Sequence, residues 1–428
     1  MKNRWISLVA ALLCVVSLAT AQTDPSHGAQ AYTIITNPGQ DARREMRVNW
    51  HTDPDNKKNY CLYTKRSDTQ WKKARKVKAE QHLCTEYDSL YSKKANGENF
   101  YERARFLRCT ATLKNLEPDT EYMYRIGPGD RSQVHYFKTA PASGRWNIGI
   151  ISDFHSYPPL PKRVEAAMDM VGTLENCNGG DLDFMLHLGD VCAWGGSYSF
   201  WKTLYDEPYF SKYMWAGVNG NHDNMDRQSA RLSNQYFRLA NNNPQNGYQG
   251  EEGVCYYFIY DNALFIILNN ENMRTAEGLA AAQQWVREVI AKNPAKYIIV
   301  AEHYQWFYGD SGKDSQYARW RELFDQCGVD LALSGNNHIY ARTNAIYQGK
   351  ETDGTVGTVY IQTPSSDNER GRDLEEWVAN KDLIKFRWAE GPRTVGAMVM
   401  NAYDDHLHLT LYDRQGNAVD QVSVQAKR

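Results

Sequence analysis

Five short segments between residues 153 and 338 each set oxygen or nitrogen metal ligands directly behind an apolar run. They read Asp153-Phe154-His155, Gly189-Asp190, Gly220-Asn221-His222-Asp223, Glu302-His303 and Gly335-Asn336-Asn337-His338. The runs ahead of them span Trp146 to Ser152, Asp183 to Leu188, Met214 to Val218, Lys296 to Ala301 and Asp330 to Leu333. Their length and apolar continuity are those of buried strands. Ligands of α/β sheets collect beyond the carboxyl ends of the strands, so five strand-end segments predict one crevice lined by donors. Carboxylate, amide and imidazole donors together suit metal ions.

The rest of the chain frames that crevice. From Trp146 onward apolar runs alternate with helical patterns, which argues for an α/β domain. Ala282, Trp285, Val286, Val289 and Ile290 recur at helical spacing and predict a buried stripe; a second helix is expected from about Tyr317 to Cys327. Gly357 to Gln362, Ala397 to Ala402 and His406 to Leu411 read as strands, with His406 and His408 on one exposed polar face. Residues 31–140 instead alternate with period two, as in Met46 to Trp50 and Glu121 to Ile126, and predict an all-β domain. The stretch Leu116-Glu117-Pro118-Asp119-Thr120-Glu121-Tyr122 resembles the strand-joining turn of fibronectin type III domains, which makes Tyr122 structural. Thr139 to Gly144 reads as a linker.

Lys2 and Arg4, an apolar run from Ile6 to Leu18 and Ala19-Thr20-Ala21 make residues 1–21 a secretory signal, so a periplasmic or extracellular protein is expected. Leu13 before Cys14 does not suit a lipid anchor. Without the signal, 51 acidic residues slightly outnumber the basic ones, for a net charge of about −4. No polybasic face is implied, so nucleic acid and anionic membrane are poor partners, and no later run spans a bilayer. Seven cysteines remain, at 61, 84, 109, 177, 192, 255 and 327; an odd count leaves at least one thiol free or bonded to another chain.

The ordered set D-x-H, G-D, G-N-H-D, H and G-x-x-H resembles the calcineurin-like metallophosphoesterase family. With a sandwich ahead of it, the chain resembles the purple acid phosphatase branch or its bacterial relatives. The resemblance implies two mixed β-sheets packed together and flanked by helices over residues 145–428, after a β-sandwich domain over residues 31–140. It implies a first metal held by Asp153, His155, Asp190 and His338, and a second held by Asp190, Asn221, His303 and Asn336. Iron, manganese or zinc would occupy the first site, and a harder ion such as manganese or magnesium the second. Two such ions clamp a phosphate and lower the pKa of a bridging water that attacks phosphorus; Asp190 is the natural bridge. In the family the histidine of G-N-H lies beside the substrate, which makes His222 a general acid, with Asp223 orienting its ring. Arg342 is a candidate phosphate clamp by its fork geometry.

This chain departs from the purple enzymes in three places. Ala193 stands where they carry a tyrosinate ligand, and His155 where they carry glycine, so an imidazole replaces a phenolate at the first metal. Asn336 stands where the family has a histidine. A neutral amide oxygen is a harder donor, so either the second ion binds weakly, or that site is tuned to a hard metal, or the chain is an inactive descendant. Trp194, Tyr304, Trp306, Phe307 and Tyr308 lie near the motifs and either wall a pocket or pack the core. The expected function is hydrolysis of small phosphate monoesters, with diesters or pyrophosphates as further candidates. A phosphate- or glycan-binding protein on the same scaffold is the alternative. Retention of His222 and Asp223 favours the enzyme, because a binder has no leaving group to protonate.

Overall fold

The computed structural model describes residues 30–93, 99–128, 130–225, 235–307, 315–367, 369–374, 378 and 380–427. The signal expected at residues 1–21 and Tyr308 lie outside the described residues. Up to Lys138 the described chain forms two four-stranded antiparallel sheets. One runs in the order Tyr32–Pro38, Glu45–Thr52, Asn99–Lys114, Glu80–Lys93; the other runs Arg75–Lys78, Tyr60–Lys65, Glu121–Gly127, Asp130–Lys138. Met46, Val48 and Trp50 alternate inward and share a core with Cys61, Tyr63 and Tyr124 of the facing sheet. The structural role expected of Tyr122 is met at the corner itself. Its hydroxyl accepts from the Glu117 N–H at 3.0 Å, and its ring stacks on Phe137 at 5.2 Å.

Beyond residue 145 two mixed sheets pack face to face. The six-stranded sheet runs Trp215–Gly217, Phe184–His187, Trp146–Ile151, Gly396–Ala402, His406–Asp413, Ala418–Gln425. The eight-stranded one runs Tyr256–Tyr260, Ala263–Ile267, Tyr297–Ala301, Leu331–Ser334, Thr358–Gln362, Tyr340–Tyr347, the last of which also pairs Lys350–Glu351 and Ile384–Trp388. Ile148, Ile150, Phe184 and Leu186 face Phe265, Ile299 and Leu333 in the layer between the sheets. The opposite faces of the same strands are also buried, which is why each reads as a continuous apolar run. Truncating a central residue such as Ile150 to alanine would cost about 2–5 kcal/mol.

Helices cover both outer faces. Lys162–Asn178 and Tyr198–Tyr205 bury Val164, Ala167, Val171, Trp201 and Leu204 against the six-stranded sheet. Ala276–Lys292 and Gln316–Cys327 cover the other sheet. The first of these begins at Thr275, whose hydroxyl accepts from Gly278 N at 3.0 Å, an N-cap that satisfies one free donor. It buries Ala282, Trp285, Val286 and Val289, the predicted stripe, with Ile290 partly covered.

The two parts of the chain are joined by buried polar contacts. Asn37 Nδ2 donates to Trp215 O at 2.9 Å, and Thr36 Oγ1 to Tyr213 O at 3.2 Å. His51 Nε2 lies 2.9 Å from Leu239 O, which can only accept, so Nδ1 accepts from the Tyr198 hydroxyl at 2.6 Å. No disulfide joins the seven described cysteines, and five of them are buried as small apolar residues. No described helix is long and apolar enough to cross a membrane.

Candidate metal centre

Three motif segments leave the six-stranded sheet and two leave the eight-stranded one, and their loops meet at one edge of the sandwich. The crevice thus lies between two sheets. Asp153, His155, Asp190, Asn336 and His338 all adopt left-handed backbone, with φ of 53°, 43°, 51°, 68° and 59°. Five strained residues in one site mark it as functional, since each costs of order 1 kcal/mol or more. The motif glycines follow from crowding. A Cβ on Gly220 would lie 2.3 Å from both N and Oδ1 of Asp190, and one on Gly335 2.5 Å from Asp153 Oδ2.

Four imidazoles are aimed in the same way. Nδ1 of His155 lies 2.9 Å from Asp153 O, that of His222 2.8 Å from Ala193 O, that of His303 2.7 Å from Leu188 O and that of His338 2.6 Å from Arg370 O. A carbonyl only accepts, so each Nδ1 carries the proton and each Nε2 presents a lone pair to the crevice. Asp190 Oδ2 sits 3.3 Å from Nε2 of His155 on one side and 3.3 Å from Nε2 of His303 on the other. Its Oδ1 is engaged by the His222 N–H at 2.8 Å. Asp153 Oδ1 lies 3.4 Å from His338 Nε2 and 4.0 Å from His303 Nε2.

These groups fit cations. Asp153 Oδ1, His155 Nε2, His303 Nε2 and Asn221 Oδ1 are buried without a hydrogen-bond partner, a costly state that metal coordination relieves. Donor atoms fall into three overlapping triads, each within 4.8 Å: Asp153, His155 and His338; Asp153, Asp190 and His303; His155, Asp190 and His222. Burial pulls the His303 pKa down, but the Asp190 and Asp153 carboxylates outweigh it and raise it to about 10, which shows how strongly this site favours positive charge. Asn336 donates its backbone N–H to Asp153 Oδ2 at 3.0 Å and its side-chain Nδ2 to Gln305 Oε1. Its Oδ1 makes no hydrogen bond with a described residue.

Two expected roles are corrected. Asp223 does not hold the His222 ring; its oxygens accept from Cys192 N and Gly220 N, each at 2.9 Å, and tie two ligand loops together. Burial, then the Asp190 charge, pushes its pKa up to about 7. Arg342 is no phosphate clamp. Its fork is spent on Asp420, with Nη2 2.9 Å from Oδ1 and Nε 2.5 Å from Oδ2, and this pair joins the two sheets. Glu302 Oε2 accepts from Asn270 Nδ2 at 2.7 Å, and Asn270 Oδ1 in turn receives the His303 and Tyr304 N–H groups. Burial raises the Glu302 pKa to about 8. Trp306 and Phe307 are core residues, whereas Trp194 is partly exposed with its ring 5.8 Å from that of His222.

Sequence reasoning missed the segment Ser365 to Arg370. Ser365 Oγ donates to Asp153 O at 2.8 Å, Asp367 Oδ2 lies 3.6 Å from His155 Nδ1, and Arg370 O receives the His338 ring. A usable signal existed, because this polar cluster follows the end of the Thr358–Gln362 strand as the other motifs follow theirs.

Residues 32–139 match the family model for the purple acid phosphatase N-terminal domain, and residues 147–340 that for calcineurin-like phosphoesterase. A purple acid phosphatase from yellow lupin seeds superposes with a TM-score of 0.70 at 18% identity, covering 93% of this chain and 74% of that one. The structure of PhoD gives 0.55 at 14% identity, covering 95% and 94%. A Mycobacterium tuberculosis protein described as uncharacterized is 24% identical over 374 residues, or 78% of this chain and 66% of that protein. Purple acid phosphatase 15 of Arabidopsis thaliana is 22% identical over 297 residues, or 61% of this chain and 54% of its own length. The chain thus spans between about half and two thirds of the curated relatives it matches. A two-sheet sandwich with carboxylate and imidazole ligands at its strand ends is a metallophosphoesterase domain. The chain thus carries a calcineurin-like phosphoesterase domain over residues 147–340 behind a purple acid phosphatase N-terminal domain over residues 32–139.

Proposed function

We propose that the chain is an exported phosphoesterase with two metal ions that hydrolyses small phosphate monoesters, with diesters and pyrophosphates as further substrates. The observation that carries this reading is the single oxygen Asp190 Oδ2, 3.3 Å from an imidazole of each sheet, where a bridging carboxylate would sit. Asp153, His155, Asp190 and His338 would hold one ion, and Asp190, Asn221, His303 and Asn336 the other. Such ions supply Lewis acidity that polarises the phosphoryl group and activates water at neutral pH.

The protein's own part is positioning and proton transfer. His222 exposes Nε2 to the crevice while Ala193 O fixes its tautomer, so a protonated ring can hand its proton to the leaving oxygen. Burial lowers the His222 pKa, partly offset by the Asp190 charge, and an arriving phosphate dianion opposes that shift. With Ala193 in the tyrosinate position, the protein should lack the purple charge-transfer band. The secretory signal at residues 1–21 is the support for a periplasmic or extracellular location. Purified protein assayed on aryl phosphate mono- and diesters, with metal content measured on the same sample, tests the proposal. Metal-dependent monoester turnover supports it, and metal-loaded protein inert toward all these esters and pyrophosphate overturns it.

A further inference from the structure

Arg370 is bracketed by the first metal site. Its carbonyl receives His338 Nδ1 at 2.6 Å, and its N–H donates to Asp367 Oδ1 at 2.9 Å. Glu369 beside it pairs with Arg163 Nε at 3.2 Å, near the start of the helix that follows the His155 loop. The backbone of this segment is thus tied to the His338 ligand loop on one side and to the helix behind the His155 loop on the other, which holds Arg370 beside the crevice. Its guanidinium is partly buried and makes no hydrogen bond or ion pair with any described residue. A partly desolvated fork of five donors with no acceptor is a costly arrangement unless an anion completes it.

We propose that Arg370 binds a non-bridging oxygen of the substrate phosphate and thereby selects monoesters over diesters. This rests on the phosphoesterase reading above. The charge of Arg370 acts on Asp153, Asp190, His155 and His222, so it faces the same space as the ligands and the proposed acid. A monoester dianion offers three non-bridging oxygens, enough for both ions and for a guanidinium fork. In a diester one of these oxygens carries a second substituent, which weakens it as an acceptor and crowds the arginine. Arg342, first candidate for this task from the sequence, cannot serve because Asp420 occupies its fork.

The test compares wild type, Arg370→Gln and Arg370→Lys, each metal-loaded with metal content verified. Loss of a charge-assisted contact predicts inorganic phosphate binding, read by calorimetry, about ten- to a hundredfold weaker in Arg370→Gln. Activity on aryl monoesters should fall by a similar factor through KM and kcat together, while diester turnover changes only a few-fold. Arg370→Lys should recover part of the loss, because it restores the charge without the fork. Equal losses on mono- and diesters, or unchanged phosphate affinity at full metal content, would overturn the assignment. If the wild type binds phosphate but hydrolyses nothing, the enzyme reading fails while Arg370 is still judged by phosphate affinity. A wild type that binds no phosphate sinks both.

Discussion

Replacing Gly220 by alanine should disable the centre without removing a ligand. The backbone there is not in the left-handed region, so alanine itself is tolerated and only the added carbon matters. That carbon would lie 2.3 Å from the backbone N and 2.3 Å from Oδ1 of Asp190, against ordinary contact that begins at 3.4 Å. Something must therefore shift by roughly 1 Å, as the same figures imply. The yielding group is the Asp190 carboxylate or the loop that carries it, because Oδ1 is also pinned by the His222 N–H. A misplacement of about 1 Å costs on the order of 10² in rate, or about 2.7 kcal/mol of transition-state stabilisation. Overpacking should lower stability by about 1–3 kcal/mol as well. The assay is kcat and KM on an aryl phosphate with metal content on the same preparation. Gly172→Ala serves as control: it sits within the helix Lys162–Asn178, and its Cβ would meet only the Tyr209 hydroxyl at 3.0 Å. Wild-type turnover with full metal occupancy in Gly220→Ala would refute the placement of Asp190 at the bridge.

Three further outcomes are expected. His222→Ala should keep its metals yet lose roughly 10² to 10⁴ in rate on alkyl phosphates, and much less on nitrophenyl phosphate; equal losses on both would remove His222 from the acid role. Asn336→His should tighten the second ion and shift preference toward zinc, read by competition with a chelator, and an unchanged metal profile would show that Asn336 is no ligand. Burial lowers the pKa of His51 and His187 to about 3 in the fold, against about 6.5 unfolded, so stability from these groups is full above pH 6.5 and is lost as pH falls toward 3. At pH 5 each should cost about 2 kcal/mol. Since neither ring nitrogen of His187 has a hydrogen-bond partner, His187→Leu should flatten the acid dependence of denaturant midpoints, and an unchanged slope would contradict this account.

What the chain discloses in advance is whatever local pattern can encode. Each ligand segment needs a strand to carry it and a turn to aim it, and both leave marks a few residues apart. Hence Trp146–Ile151, Phe184–His187, Trp215–Gly217, Tyr297–Ala301 and Leu331–Ser334 all lie within the apolar runs or one residue beyond them. The Tyr122 corner is local in the same sense, with a partner only five residues away. Side-chain commitments made across the fold leave no such mark. Arg342 and Asp420 are 78 residues apart, and a fork that could clamp a phosphate is spent on a carboxylate. Asp223 lies beside His222 in sequence, yet its carboxylate is drawn away by N–H groups of two loops. Arg370 was hidden because no repeating pattern leads from the end of its strand to its position. The contact of His51 with Tyr198, across 147 residues, is of the same kind.

The account's central claim is that Asp190 joins two ions whose presence is required for phosphoester hydrolysis. Its most direct test is to strip wild type and Asp190→Asn of metal, then titrate both with manganese or zinc while following ion uptake and aryl phosphate turnover together. The account predicts that wild type takes up two ions per chain and that hydrolysis rises with occupancy, whereas Asp190→Asn loses bound metal and activity in parallel. Full uptake with unchanged turnover in Asp190→Asn, or hydrolysis by metal-free wild type, would contradict it.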